Sequence, residues 1–262
     1  MGKNSAISWT THTFNPWWGC QRVSPGCEHC YAETLDARWY DGAYWGSMNG
    51  RKEMKPAYWN QVYGWNIKAQ KSDKPTLVFC ASMADVFEDR PELSPLRGVL
   101  WKLIRDTPDL TWLLLTKRPE NVARLVPEDW LVDYFPSNVW LGVSVENQAY
   151  IHRVAQIEDF RVNRFVSVEP MLGHVDFQKY WWAVDWVICG GESGMGCRPM
   201  ESSWAMGLMN ACEYRHIPFF MKQLGGHPDK RDDMKKWIDI FQVQQFPDFE
   251  HKELDISKGL PK

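Results

Sequence analysis

The sequence predicts an α/β fold: an incomplete (β/α) TIM-like barrel of about six to seven parallel strands, with an aromatic-rich insertion after its first loop. Three observations lead there. Short apolar runs recur along the chain: "TLVFCAS" (76–82), "TWLLLT" (111–116), "VWLGVSV" (139–145), "RFVSVEP" (164–170), "DWVICGG" (185–191) and "PFFMKQ" (218–223). Each is near-continuously apolar, as a strand buried on both faces must be. Stretches of helical pattern separate them, and strands alternating with helices imply a parallel sheet with right-handed crossovers. Finally, these strands finish in polar groups at the same end, where parallel barrels assemble their sites. A doubly wound open sheet is the competing topology.

Taken in order, a first strand falls within "ISWTTHTFNPWWGC" (7–20), just ahead of three cysteines. "CYAETLDARW" (30–39) reads as the helix that follows. Residues 39–65, "WYDGAYWGSMNGRKEMKPAYWNQVYGW", carry four of the 16 tryptophans among other aromatic residues. This insertion either stacks bases on its rings or packs over the barrel mouth or a partner. "SPLRGVLWKLIRDT" (94–107) opens with Ser-Pro and keeps apolar residues at helical spacing. "RPENVARLV" (118–126), "NQAYIHRVAQI" (147–157) and "SSWAMGLMNACEYRH" (202–216) fill later gaps, whereas "MLGHVDFQKYWWAV" (171–184) is too short and mixed for a helix. Residues 1–225 then form the barrel, with the cysteine loop at 19–33, and 226–262 read as a polar appendage.

The 262 residues are enough to bury a core without disulfide staples. No window reaches the apolar length of a membrane span, and the opening "MGKNSAISWTTHTF" lacks the apolar run of a secretory signal. A cytoplasmic protein is the expectation. The formal net charge of −3 argues against strong nonspecific nucleic-acid binding while leaving room for a local basic patch.

A charged group at the end of an apolar strand is costly unless it meets water, a partner or a ligand. Ser82 and Asp85 follow the second strand, Lys117 and Arg118 the third. "GVSVEN" and "FVSVEP" put Ser144, Glu146 and Glu169 at the ends of the fourth and fifth. Glu192 follows the sixth, and Lys222 and Gln223 the seventh. By strand alternation Ser144 and Glu146 share one side, with Val145 on the other. These residues are expected to converge on one cavity.

Cys20, Cys27 and Cys30 lie in "GCQRVSPGCEHCYAE" with spacing C-x6-C-x2-C. In a reducing compartment, clustered cysteines mean metal or catalysis more often than disulfides. A structural zinc site needs a fourth ligand, from His12, His29 or a distant cysteine. A C-x-x-C redox pair usually opens a helix in a thioredoxin-like unit. Three thiolates on a 4Fe–4S cluster would leave one iron open. Cys80, Cys189 and Cys212 sit in apolar surroundings and read as small core hydrophobes; Cys197 follows a glycine-rich turn.

A three-cysteine loop after the first strand of a partial barrel resembles the radical S-adenosylmethionine enzymes. More closely, "FNPWWGCQRVSPGCEHCYAE", "LLLTKRPEN", "GVSVEN", "SVEP", "GGESG" and "MKQLGG", taken in order, resemble a phage-associated three-cysteine-motif family over residues 7–225. The resemblance implies a 4Fe–4S cluster on Cys20, Cys27 and Cys30. It also implies reductive cleavage of S-adenosylmethionine and hydrogen abstraction from a substrate, with nucleic acid or nucleotide favoured. Ser144 and Glu146 match the ribose-contacting strand, and Lys117 or Arg118 would hold the carboxylate. Ser82, Asp85 and Glu192 join the cofactor-binding set, and Lys117, Glu169 and Lys222 the catalytic set. An electron donor and a phage-encoded partner would accompany such an enzyme. The superfamily's usual spacing is C-x3-C-x2-C, so the six-residue first gap is a departure. The superfamily's Gly-Gly-Glu element follows the second strand, whereas Gly190, Gly191 and Glu192 come much later.

Overall fold

The computed structural model describes residues 4–249. Its strands are β1 (His12–Phe14), β2 (Trp17–Trp18), β3 (Lys52–Glu53), β4 (Thr76–Cys80), β5 (Leu110–Thr116), β6 (Val139–Ser144), β7 (Asn163–Val168), β8 (Trp186–Gly190) and β9 (Phe219–Gln223). Seven of them form one sheet in the order β1-β4-β5-β6-β7-β8-β9, parallel at every pairing. The strand order follows the chain without reversal, so the switch point of a doubly wound sheet is absent. The sheet also curls: Trp9, just before β1, meets Phe165 of β7 and Trp186 of β8 at ring-centroid distances of 6.3 Å. The fold is therefore an incomplete (β/α) barrel. The first strand is shorter than the sequence suggests, because Trp17 and Trp18 leave the sheet and pair antiparallel with β3.

Alternation along the strands sorts the core into two layers. On β6, Val139, Leu141 and Val143 join the large cluster outside the sheet, while Trp140 joins a smaller cluster inside the curl with Phe79, Leu113, Phe165, Trp186 and Phe220. This is the period-2 rule applied to a strand with two buried faces. Gly142 keeps the inner face open at one point. A Cβ there would stand 2.3 Å from the Phe165 ring, so the missing side chain is what lets that ring lie flat against β6.

The helices are α1 (Tyr31–Tyr40), α2 (Pro56–Ala69), α3 (Ser94–Asp106), α4 (Val122–Leu125), α5 (Glu128–Val132), α6 (His152–Ala155) and α7 (Ser202–Tyr214). The aromatic insertion divides in two. Its second half is α2, with Pro56 in the first turn and Trp59, Val62, Trp65 and Asn66 buried at helical spacing. These rings cover β1: Trp59 packs edge-on to Phe14 at 5.1 Å and Trp65 stacks on His12 at 4.3 Å. The helices expected over 118–126 and 147–157 are cut to single turns. Pro127 ends the run after α4, and α6 is placed by Arg153, which reaches inward to the Ser144 carbonyl at 2.7 Å. The 171–184 gap holds only a 3-10 turn, Gln178–Ala183.

Residues 226–249 return to the barrel, and the remainder of the expected appendage, 250–262, lies outside the described residues. Trp237, Phe241 and Phe249 are buried, Gln244 bridges to Phe220, and Phe249 meets Trp140 and Trp186 at 5.0 and 5.6 Å. It closes the N-terminal end of the strands, opposite the cysteine loop. No helix among the described residues is long and apolar enough to cross a membrane.

Candidate metal and ligand site

The connection from β1 to α1 carries the three cysteines across the C-terminal end of the sheet. Pro25–Cys27 form one 3-10 turn, and Cys30 is the residue before α1, in extended conformation at its N-cap. All three cysteines line a single cavity of about 200 Å³. Beneath them lies an apolar floor of Trp9, Phe79 and Leu115.

The strand ends supply the polar collar of this cavity. Ser82 and Asp85 after β4, Lys117 and Arg118 after β5, and Ser144 on β6 face it. So do Glu169 after β7, Glu192 after β8, and Lys222 and Gln223 on β9. Glu146 is different. It is completely buried and lies behind the cavity wall, where its two oxygens are taken by Ser24 and Arg153. The parity read from the sequence holds, since Val145 packs in the outer core; the cysteine loop simply covers the inward-facing carboxylate.

The charges are paired, as buried charges must be. Asp85 accepts from the Thr116 hydroxyl at 2.8 Å, the Lys117 amide at 3.1 Å and the Arg118 guanidinium at 3.0 Å. Arg118 extends the same group to Cys20 Sγ at 3.5 Å and donates to the Gln21 carbonyl at 2.9 Å. Lys117 Nζ donates to Ser144 Oγ at 3.1 Å. Lys222 pairs with Glu169. Arg198 holds Glu192 at 2.5 Å and also reaches the loop, at Glu28 (2.9 Å) and the Pro25 carbonyl (2.8 Å).

These surroundings set the protonation of the loop. Burial pushes the Cys20 thiol up to about 12, against the opposing pull of the Arg118 charge. Burial likewise raises Cys30, with the backbone amides of Glu33 and Ala32 working the other way. Both are neutral thiols at pH 7 in the metal-free chain, and ligation would release their protons. Burial alone would raise Glu192, but the hydrogen bonds and charge of Arg198 outweigh it, and its carboxyl titrates below the ordinary 4.5.

Among the described residues, no three His, Cys, Asp or Glu side chains converge closely enough to hold one ion. Tetrahedral zinc with Zn–S near 2.3 Å would require sulfurs within about 4 Å of one another. Three thiols lining one cavity are a donor set that would suit a cluster binding each sulfur through a different iron. His29 lines the cavity but lies against Gly196, whose Cβ would stand 3.2 Å from its ring. Cys80, Cys189 and Cys212 are buried apart from the loop, as their apolar surroundings suggest.

Four contributors were not singled out from the sequence: Ser24, Arg153, Ser167 and Arg198. Ser167 could have been found, since it stands on β7 two residues before Glu169 and so on the same face. Ser24 meets Glu146 across 122 positions and Arg198 meets the loop across 170 or more, while Arg153 and Arg198 reach Glu146 and Glu192 only seven and six residues back, at spacings that mark no regular element.

Fold and site together define a class: a parallel (β/α) half-barrel with a three-thiol loop over the C-terminal ends of its strands. The chain belongs to the family described as "Protein of unknown function (DUF5131)", whose model matches residues 4–254. A comparison with curated proteins finds no match. Among solved structures, a mutant of spore photoproduct lyase aligns with a TM-score of 0.46 at 14% identity. The alignment covers 72% of this chain and 58% of that one, so the chain spans little more than half of that protein's length.

Proposed function

We propose that Cys20, Cys27 and Cys30 hold a 4Fe–4S cluster and that the chain is a radical S-adenosylmethionine-type enzyme. The observation that carries this reading is the shared cavity: three thiols from one loop facing a collar of strand-end polar residues. When bound, the cluster would supply the electron that cleaves S-adenosylmethionine and so generates a hydrogen-abstracting radical. The chain's own residues do the rest. Of Lys117 and Arg118, Lys117 presents its cation for a carboxylate, Arg118, held by Asp85, would stabilise the Cys20 thiolate, and Ser144 offers a hydroxyl to a ribose. Glu169 and Lys222 form an ion pair at the wall, able to move a proton to or from a bound substrate. The floor of Trp9, Phe79 and Leu115 excludes water from below.

A nucleotide or nucleic acid is the substrate class of this reading. Half-exposed Trp39 stacks on Trp18 at 5.5 Å, and Lys52 lies over Trp18 and Tyr40, the ring-and-cation pairing that takes up bases. The test is anaerobic purification followed by iron analysis and an absorption spectrum, then incubation with dithionite and S-adenosylmethionine. Brown protein that releases 5′-deoxyadenosine supports the reading. Stoichiometric zinc without iron ends it, and a full cluster that neither binds nor cleaves S-adenosylmethionine leaves an iron–sulfur binding protein.

A further inference from the structure

The long gap between Cys20 and Cys27 has a counterpart in the fold. Within it, Ser24 donates its hydroxyl to Glu146 Oε1 at 2.5 Å. The other Glu146 oxygen accepts from Arg153 at 2.9 Å, and the same Arg153 nitrogen donates to the Ser144 carbonyl at 2.7 Å. Glu146 is fully buried and Arg153 nearly so. Gly26 lies directly on the carboxylate: a Cβ there would stand 2.5 Å from Glu146 Cγ and 2.6 Å from Oε1. Ser24 Oγ is also 3.8 Å from Cys27 Sγ.

We propose that Glu146 is a positioning residue for the cysteine loop, clamping Ser24 and Gly26 onto the end of β6 and so fixing Cys27 at the cavity rim. The six residues between Cys20 and Cys27 are then not slack. They include Ser24 and Gly26, which set a hydroxyl donor and a bare backbone onto a buried carboxylate. Arg153 orients that carboxylate, and a hydrogen bond between ionised partners is stronger than a neutral one. This assignment rests on the metal-site reading for its purpose, but the clamp itself is a property of the metal-free loop.

The experiment measures alkylation of individual cysteines by iodoacetamide in the full chain stripped of iron with a chelator, followed by peptide mass mapping. Cys80, inside the sheet, reports on global unfolding. In wild type, Cys27 reacts slowly. Ser24→Ala, a change in a loop residue that leaves the Glu146–Arg153 pair intact, should speed Cys27 about tenfold, or roughly 1.4 kcal/mol, with Cys80 still protected. Ser24→Thr keeps the hydroxyl and should restore the slow rate. Glu146→Gln should also accelerate Cys27, and by less in the Ser24→Ala background than alone, since the two residues form one contact. Gly26→Ala should act from the loop side. Wild-type rates at Cys27 in both Ser24→Ala and Gly26→Ala, with Cys80 protected, overturn the clamp. Iron uptake on anaerobic reconstitution separates the two claims. A wild type that takes up no iron while the variants free Cys27 leaves the clamp standing and the cluster reading fallen; a wild type that fills with iron while Cys27 ignores every variant does the reverse.

Discussion

Cys20 and Cys189 are the same side chain in two environments. Burial raises both thiols. Around Cys189 there is no cation: it sits on β8 within the outer core, 3.6 Å from Met171 Sδ. Cys20 lies on a loop with a guanidinium 3.5 Å away that is itself anchored by Asp85. The difference teaches that a hidden thiol becomes a candidate ligand through what opposes its desolvation. A fixed positive charge makes the thiolate attainable when its proton leaves, whereas an apolar shell keeps the thiol a small hydrophobe.

The largest expected effect breaks the comparison at the thiols themselves. Cys20→Ala, Cys27→Ala or Cys30→Ala should each take anaerobic iron content from about four per chain, the number in such a cluster, to near zero. Cys189→Ala and Cys212→Ala should leave it unchanged, which iron analysis of the five proteins reads directly. Next comes the cation. Arg118→Met strands buried Asp85 and should cost about 3–5 kcal/mol in denaturant unfolding; the Thr116 and Lys117 donors that remain favour the lower end. Replacing both, as Arg118→Met with Asp85→Leu, should recover much of that stability while iron retention stays poor. Recovery of iron as well would show that the guanidinium serves packing alone.

A smaller change sharpens the other side. Cys189→Ser puts a hydroxyl into the outer core beside the Met171 thioether, and should destabilise by about 1–3 kcal/mol without loss of iron. The smallest effect is in acid. The folded-state pKa of Glu192 is lowered, so the stability from its pairing with Arg198 is fully present above the unfolded value of 4.5 and is lost as pH falls through the lower folded value. Melting temperatures followed from neutral pH to below 4.5 should therefore fall less steeply in Glu192→Gln than in wild type. Parallel curves would remove Arg198–Glu192 as an acid-sensitive tie between the loop and β8.

What the sequence determined by itself was whatever repeats locally. Short apolar runs buried on both faces mark strands locally, so the seven strands and the polar ends at Ser82, Lys117, Ser144, Glu169, Glu192 and Lys222 were legible, and strand alternation set Ser144 and Glu146 opposite Val145. So was the grouping of Cys20, Cys27 and Cys30 on one loop. Helix extent was less legible: the tryptophans of α2 looked like an insertion because their spacing was masked by aromatic neighbours, and α6 shrank to a turn around one inward arginine. Only the tertiary structure decided where charge is spent. Ser24 meets Glu146 across 122 positions and Arg198 meets Pro25 across 173. The same holds for the tail, whose Phe249 finds Trp140 and Trp186 inside the curl. A carboxylate at a strand end is equally compatible with a ligand, a solvated loop or a docked serine. Its partner is settled by which loop the closed sheet brings over it, because a buried charge is satisfied by proximity in space and carries no period along the chain.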